Sequence, residues 1–127
     1  MKLRIQGNSI RLRLLRSEVT RFIEEGRIAE TVRFASADQA FFTYALEHEA
    51  GAAGVEVRYK PSEAVVILPE SEARSWAETE RVGIYASVNI GNHGDLAVAI
   101  EKDFACLDLS DAENHDTFPN PQIEATC

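Results

Sequence analysis

Hydrophobic positions along this chain follow one pattern twice. Residues 1–49 align without a gap onto residues 55–103, and the apolar positions of the two segments coincide. Each segment contains two alternating apolar stretches, a short stretch with helical apolar spacing, and two further alternating stretches. The pattern predicts an α+β fold built from a duplicated ββαββ unit, with about eight mostly antiparallel strands, two helices and a pseudo-two-fold axis.

The duplication divides a single domain of 127 residues into three parts. Repeat 1 covers residues 1–50, repeat 2 covers residues 55–105, and an acidic tail covers residues 106–127. A chain of this length can bury one hydrophobic core without disulfides or metals. The tail contains Phe118 and Ile123, and we expect these apolar side chains to dock it onto the rest of the domain.

The first two strands are predicted to form a hairpin around Gly7-Asn8, a favoured dipeptide for two-residue hairpin loops. In repeat 2, Pro61-Ser62 takes the place of this turn. The hairpin register separates apolar from basic side chains, because successive residues of a strand point to opposite faces. The basic side chains that then share one face are Lys2, Arg4, Arg11 and Arg13.

Ser17 and Ser71 are the predicted N-caps of the two helices, since a serine hydroxyl can accept a hydrogen bond from a free helical amide. Glu18 and Glu72 would follow in the first turns, where the helix dipole favours a carboxylate. Gly26 is predicted to end the first helix, because glycine readily adopts the left-handed conformation found there.

The two repeats differ at Arg11 and Arg13, which align with Val65 and Ile67. The strand of repeat 2 is therefore apolar on both faces, and something must cover the side that carries these two residues. The tail is the favoured cover. A second subunit is the alternative, so a monomer and a homodimer through the strand of Val65 and Ile67 are both open.

Arg27 and Glu47 of repeat 1 align with Arg81 and Glu101 of repeat 2. A catalytic site rarely needs the same residue on both sides of a pseudo-two-fold axis. We therefore interpret these retained residues as structural ion pairs.

Charge and composition restrict the classes of partner. The net charge is −8, although residues 1–33 contain eight basic and four acidic residues. An acidic protein repels a phosphate backbone at long range, so we expect no nucleic-acid partner. The sequence has no apolar run of membrane-spanning length and no signal-peptide pattern at its start, so we expect no membrane partner and a cytoplasmic location.

The basic face of the first hairpin is one candidate for a binding site, and its residues are Lys2, Arg4, Arg11 and Arg13. The groove between the two repeats is the alternative location. Like charges opposite each other on a hairpin destabilise it unless something neutralises them. A phosphate or carboxylate ligand would do so, because guanidinium groups bind both in bidentate geometry. An acidic segment of the same chain, or water alone, is the alternative.

A second candidate lies in the tail, where the thiol and imidazole groups of Cys106, His115 and Cys127 would suit zinc. Their spacing lacks the short C-x-x-C pair of most zinc sites, and a disulfide or a plainly buried Cys106 is the alternative. No motif of an enzyme family occurs in the sequence. We therefore expect a non-enzymatic module that binds a small anion or a protein, with a small metal-binding protein or enzyme as the alternative. Apart from zinc, we expect no cofactor.

Two segments resemble those of an uncharacterised family of small bacterial proteins. They are residues 1–14 (MKLRIQGNSIRLRL) and residues 101–107 (EKDFACL), the latter followed by residues 118–121 (FPNP). The resemblance extends over nearly the whole chain. It implies that the tail belongs to the fold, and it implies no activity, ligand or catalytic residue.

Overall fold

The computed structural model describes residues 1–104 and 116–119 of the chain. Repeat 1 forms β1 (Lys2–Gln6), β2 (Ser9–Leu14), α1 (Arg16–Glu25), β3 (Arg27–Arg33) and β4 (Phe41–Glu49). Repeat 2 forms β5 (Glu56–Lys60), β6 (Glu63–Pro69), α2 (Glu70–Glu78), β7 (Gly83–Asn89) and β8 (Asp95–Lys102), with a 3-10 turn at Gly91–His93. The predicted α+β class and the order ββαββ, twice, are confirmed.

The two repeats exchange hairpins to build two four-stranded sheets. Sheet A has the order β1-β2-β8-β7, and sheet B has the order β3-β4-β6-β5. Each sheet contains one hairpin from each repeat, joined at the centre by a parallel pair. Leu12 pairs with Ile100 in sheet A, and Leu46 pairs with Val66 in sheet B. These pairs are equivalent in the aligned repeats, so the pseudo-two-fold axis relates one sheet to the other.

One hydrophobic core draws side chains from both sheets and both helices. Phe22 of α1 and Trp76 of α2 are fully buried, and their rings meet edge-on with centroids 6.4 Å apart. The two residues are equivalent in the repeats, so the helices meet close to the pseudo-two-fold axis. The other large side chains that are fully buried in this core are Leu12, Leu14, Leu46, Val66, Leu68 and Ile100.

The hairpin β1–β2 has the predicted register around Gly7-Asn8. Gly7 adopts a φ of 55°, at the first position of the turn. In repeat 2, Pro61 cannot adopt a positive φ, and Ser62 at the second position has a φ of 70° instead. The hairpin β5–β6 has the equivalent register. The two repeats therefore form the same hairpin through different turns.

Strand β7 begins two residues later than the gapless alignment places it. Ile28 pairs with Leu46 and Ile84 pairs with Ile100, so Ile84 takes the position that the alignment gives to Val82. Both isoleucines are 3% exposed, whereas Val82 is 41% exposed. The sequence alignment is thus wrong for this strand.

The shift of β7 changes the partners of the charged residues that both repeats retain. Arg27 forms the expected ion pair with Glu47. Arg81 precedes β7 and instead reaches Glu72, with its Nη1 2.7 Å from the Glu72 Oε2. Glu101 has different partners, on the outer face of sheet A. The interpretation as structural ion pairs therefore holds for the first pair of residues, and the two residues of the second pair bind elsewhere.

Both helices begin before the predicted caps. The N-cap positions are occupied by Leu15 and Pro69. Ser17 and Ser71 lie inside the first turns, and the prediction that they cap the helices is wrong. Gly26 ends α1 as predicted, with a φ of 81° and its N–H donating to the carbonyl oxygen of Phe22.

Asp116 supplies the hydrogen bonds that cap α1. Its carbonyl oxygen accepts from the Arg16 N–H at 2.9 Å, and its carboxylate accepts from the Ser17 N–H at 3.1 Å and from the Ser17 hydroxyl. Nearby, Phe118 bridges to Phe104 and packs against the core. Residues 116–119 therefore lie against α1 and the chain segment that follows β8.

Val65 and Ile67 are buried within the single chain. They form a small cluster with Ala45 of β4, and Ala52 of the connection between the repeats packs against it. Phe118 packs against the main core, so the expectation that it covers Val65 and Ile67 is wrong. Ile123 lies outside the described residues. The homodimer through this strand stays a prediction, and the burial of these side chains does not need it.

Candidate anion-binding site

The basic side chains of the first hairpin lie on the outer face of sheet A. Arg4 of β1 is directly opposite Arg11 of β2, Arg11 is opposite Ala99 of β8, and Ala99 is opposite Tyr85 of β7. One row across four strands therefore carries two arginines, an alanine and a tyrosine. Neighbouring strands lie about 4.8 Å apart, so the small alanine leaves about 10 Å between the backbones that carry Arg11 and Tyr85.

This gap is a shallow concavity of about 290 Å³. Ala97 and Ala99 of β8 line it on the same face of the sheet as Arg11, because the three positions share one parity in the parallel register. Polar side chains from the other three strands line the rest, namely Arg4, Gln6, Ser9, Arg11 and Tyr85. The concavity thus has a cationic end at β1–β2, an apolar middle at β8 and an aromatic end at β7.

Glu101 binds three side chains beside the concavity. Its Oε1 lies 3.2 Å from the Nε of Arg11 and 3.3 Å from the Nε of Arg13. Its Oε2 accepts a hydrogen bond of 2.7 Å from the hydroxyl of Tyr85. Partial desolvation, and then this hydrogen bond, raise the pKa of Tyr85 to about 12. The tyrosine is therefore a neutral donor at physiological pH.

Lys2 and Arg13 occupy the neighbouring row of sheet A and have carboxylate partners. The Nζ of Lys2 lies 2.9 Å from the Oδ2 of Asp103, and Arg13 shares Glu101 with Arg11. The structure therefore brings all four predicted basic residues onto one face. It also places carboxylates on this face, as the alternative prediction of an acidic segment required: Glu101 belongs to β8, and Asp103 follows this strand.

Among the described residues, Arg4 has no carboxylate partner, unlike its counterpart in repeat 2. Arg58 binds the carboxylate of Glu49 at 3.1 and 3.2 Å and that of Glu56 at 3.4 Å. The hydrogen bond to Glu49 raises the pKa of Arg58. Arg4 donates to the amide oxygen of Gln6 at 3.1 Å, and within residues 1–104 and 116–119 it takes part in no ion pair.

The second predicted site, the zinc site of the tail, involves residues that the structure does not describe. Cys106, His115 and Cys127 lie outside the described residues, and zinc binding stays a prediction. Among the residues that the structure does describe, no group of three His, Cys, Asp or Glu side chains could hold a metal ion. In that same part of the chain, neither helix has the length and apolar character needed to cross a membrane.

Tyr85 and the two alanines of the concavity were not among the predicted site residues. These residues join the arginines only through the parallel pairing of β2 with β8, which connects distant parts of the chain. The alternation in β7 and β8 indicated which of their residues share a face. The alternation did not indicate that the outer face of β7 and β8 lies in one sheet with the basic face of the first hairpin.

The fold and this surface define a duplicated α+β protein with an arginine-bearing sheet face. The chain belongs to a family of unknown function, DUF7009, whose sequence model matches residues 1–122. The resemblance to an uncharacterised family is thereby confirmed. No curated protein and no solved structure matches the chain.

Proposed function

We propose that this protein is a non-enzymatic binding module that takes up a small anion on the outer face of sheet A, through Arg4 and Arg11. The contrast between Arg4 and Arg58 carries the proposal. The two arginines are equivalent in the repeats, yet two carboxylates neutralise Arg58 while an amide oxygen is the described partner of Arg4.

The cross-strand position of Arg4 and Arg11 favours an anion between them. Side chains directly opposite on an antiparallel pair have Cβ atoms about 5 Å apart, and two like charges at this distance destabilise the pair. The ion pair of Arg11 with Glu101 engages its Nε. A guanidinium group has five N–H donors, so further donors of Arg11 are available to a carboxylate or phosphate that also binds Arg4.

Nuclear magnetic resonance titration of the amide groups with acetate and with inorganic phosphate, at low ionic strength, tests the proposal. We expect saturable shifts in β1 and β2. Arg4→Gln should weaken binding by about tenfold or more, because a hydrogen bond to a charged group contributes about 1.5–3 kcal/mol. Arg58→Gln is the matched control, and it should change the affinity by less than about twofold. The proposal is overturned if neither anion shifts these strands, or if both variants weaken binding equally.

The alternative function, a small metal-binding protein or enzyme, depends on Cys106, His115 and Cys127. No contact in the described part of the chain supports it. It stays a prediction, and zinc analysis of the purified protein, together with titration of free thiols, tests it.

A further inference from the structure

The concavity beside Arg11 contains an apolar and an aromatic part in addition to the arginines. Resting on the proposed function, we propose that its ligand is a flat aromatic carboxylate. The carboxylate would bind Arg4 and Arg11, and the ring would lie over the alanines of β8 with its far edge at Tyr85. The proposal follows from the order of side chains across the sheet, which runs from cationic to apolar to aromatic.

The apolar middle of the concavity is specific to sheet A. The positions in sheet B that correspond to Ala97 and Ala99 are Thr43 and Ala45. Ala45 is fully covered, because Val65 fills the position that corresponds to Arg11. In sheet A the same row is open and lines the concavity. The two sheets have the same backbone pairing, but an open apolar floor beside an arginine pair occurs in sheet A.

Tyr85 is held in position at the far end of this floor. Tyr85 is 60% exposed, and its hydroxyl donates a hydrogen bond to Glu101. The ring lies against Gly83, where an added Cβ would be 2.9 Å from the Cζ of Tyr85 and 2.8 Å from its hydroxyl oxygen. An exposed ring that is already fixed loses little conformational freedom when a ligand packs against it.

The size of the concavity also favours a ring. Pockets that bind small organic molecules begin at about 300 Å³. The concavity, at about 290 Å³, lies close to this lower bound, and a lone carboxylate at the arginine end would leave its alanine floor in water. A planar body over the floor would remove this apolar surface from water, which is favourable in proportion to the area covered.

Three probes of matched chemistry test the proposal by the same titration. They are 2-naphthoate, acetate as the carboxylate without a ring, and 2-naphthalenemethanol as the ring without a charge. We expect 2-naphthoate to bind about tenfold or more tightly than either of the others, with shifts that extend from β2 across β8 to β7. Arg4→Gln should weaken the binding of both carboxylates, acetate and 2-naphthoate.

Ala97→Leu separates this inference from the proposed function. Ala97 is exposed, so a leucine fills the concavity without disturbing the core. It should remove the advantage of 2-naphthoate over acetate, so that the two carboxylates bind about equally. Thr43→Leu, at the equivalent position of sheet B, is the control and should leave the advantage intact.

Each outcome decides between the two proposals. If acetate and 2-naphthoate bind equally and both depend on Arg4, the anion site stands and the aromatic ligand is wrong. If 2-naphthoate binds more tightly but Ala97→Leu has no effect, the ring lies elsewhere and the inference is also wrong. If inorganic phosphate shifts β1 and β2 but no carboxylate does, the anion site stands and the aromatic carboxylate is wrong. If neither phosphate nor any carboxylate shifts these strands, both proposals fail together.

Discussion

The α-ammonium group of Met1 forms an ion pair with the carboxylate of Glu18 inside the fold. A second carboxylate, that of Glu30, lies 3.2 Å from the same nitrogen. The hydroxyl of Tyr44 is 3.0 Å from the Met1 carbonyl oxygen and 2.9 Å from Glu30. The other oxygen of Glu18 accepts from the Leu15 N–H at 2.8 Å. This one carboxylate therefore joins the beginning of β1 to the beginning of α1.

Replacement of Glu18 should destabilise the protein. Glu18→Gln leaves the buried ammonium group with Glu30 alone, and the removal of one partner of a buried pair is strongly destabilising. We expect the free energy of unfolding to fall by about 2–3 kcal/mol in urea titrations, since Glu30 retains part of the interaction. Glu72→Gln is the matched control at the equivalent position of α2.

The side chain of Glu72 is 45% exposed in its ion pair with Arg81, and an exposed pair contributes less than about 1 kcal/mol. Equal losses in Glu18→Gln and Glu72→Gln would show that the buried ammonium group does not depend on Glu18.

Loss of the Asp116 carboxylate should weaken the N-terminus of α1. Asp116→Ala removes the acceptor of the Ser17 amide and hydroxyl, and the loss of a capping side chain costs about 1 kcal/mol. Urea denaturation followed by circular dichroism measures the change. Asp38→Ala, in the exposed connection between β3 and β4, should be neutral within about 0.5 kcal/mol. If Asp116→Ala is equally neutral, the contacts of this carboxylate do not stabilise the helix.

Tyr44 should make the protein less stable at high pH. Burial, followed by the hydrogen bond to Glu30, raises its pKa to about 12 from the ordinary value of 10.0. The folded state then holds a proton that the unfolded state loses. The stabilisation is complete below pH 10 and is lost as the pH rises from 10 towards 12.

Tyr44→Phe should make the decline of the unfolding free energy between pH 10 and 12 shallower, by up to about 1.4 kcal/mol per pH unit. Urea titrations at a series of pH values measure this slope. Tyr85, whose pKa is also raised to about 12, contributes to the same decline and is unchanged in the variant. An unaltered slope in Tyr44→Phe would contradict the prediction.

Gly83→Ala should release Tyr85 from Glu101. The added Cβ would lie 2.8 Å from the carbonyl oxygen of Ile100 and 2.8 Å from the Tyr85 hydroxyl oxygen, so one of them must move. We expect a loss of about 1–3 kcal/mol in stability, and a fall in the pKa of Tyr85 from about 12 that ultraviolet titration would record. Gly51→Ala has no atom within 4 Å of the new Cβ and serves as the control. A Tyr85 that titrates as before would show that the ring does not need glycine at this position.

Local chemistry determined the parts of the fold that could be predicted. The turn at Gly7-Asn8 and the alternation on either side fix one register, because a slip by one residue would reverse the two faces. The shift of β7 was not predictable in this way. Val82 and Ile84 have the same parity, so a shift of two residues preserves the alternation.

Contacts between distant segments account for the other errors. The N-cap of α1 was misplaced because Asp116, far along the chain, accepts from the N–H groups of Arg16 and Ser17, so the helix begins before Ser17. For the same reason the candidate site was predicted in part. The pairing of Arg4 with Arg11 follows from one turn. Ala99 and Tyr85 lie beside these arginines only because β2 pairs with β8, which is distant in sequence.

The exchange of hairpins also sets the order in which the two sheets can be completed during synthesis. All four strands of sheet B are present once the chain has been made as far as Pro69. Sheet A pairs β2 with β8, so its first hairpin must wait for the last strand, and long-range pairing of this kind is slow. A chain interrupted before β8 holds every strand of sheet B and also Arg4 and Arg11 of the first hairpin, but it lacks the alanine floor beside these two arginines. The complete concavity therefore forms only after β8 has been made.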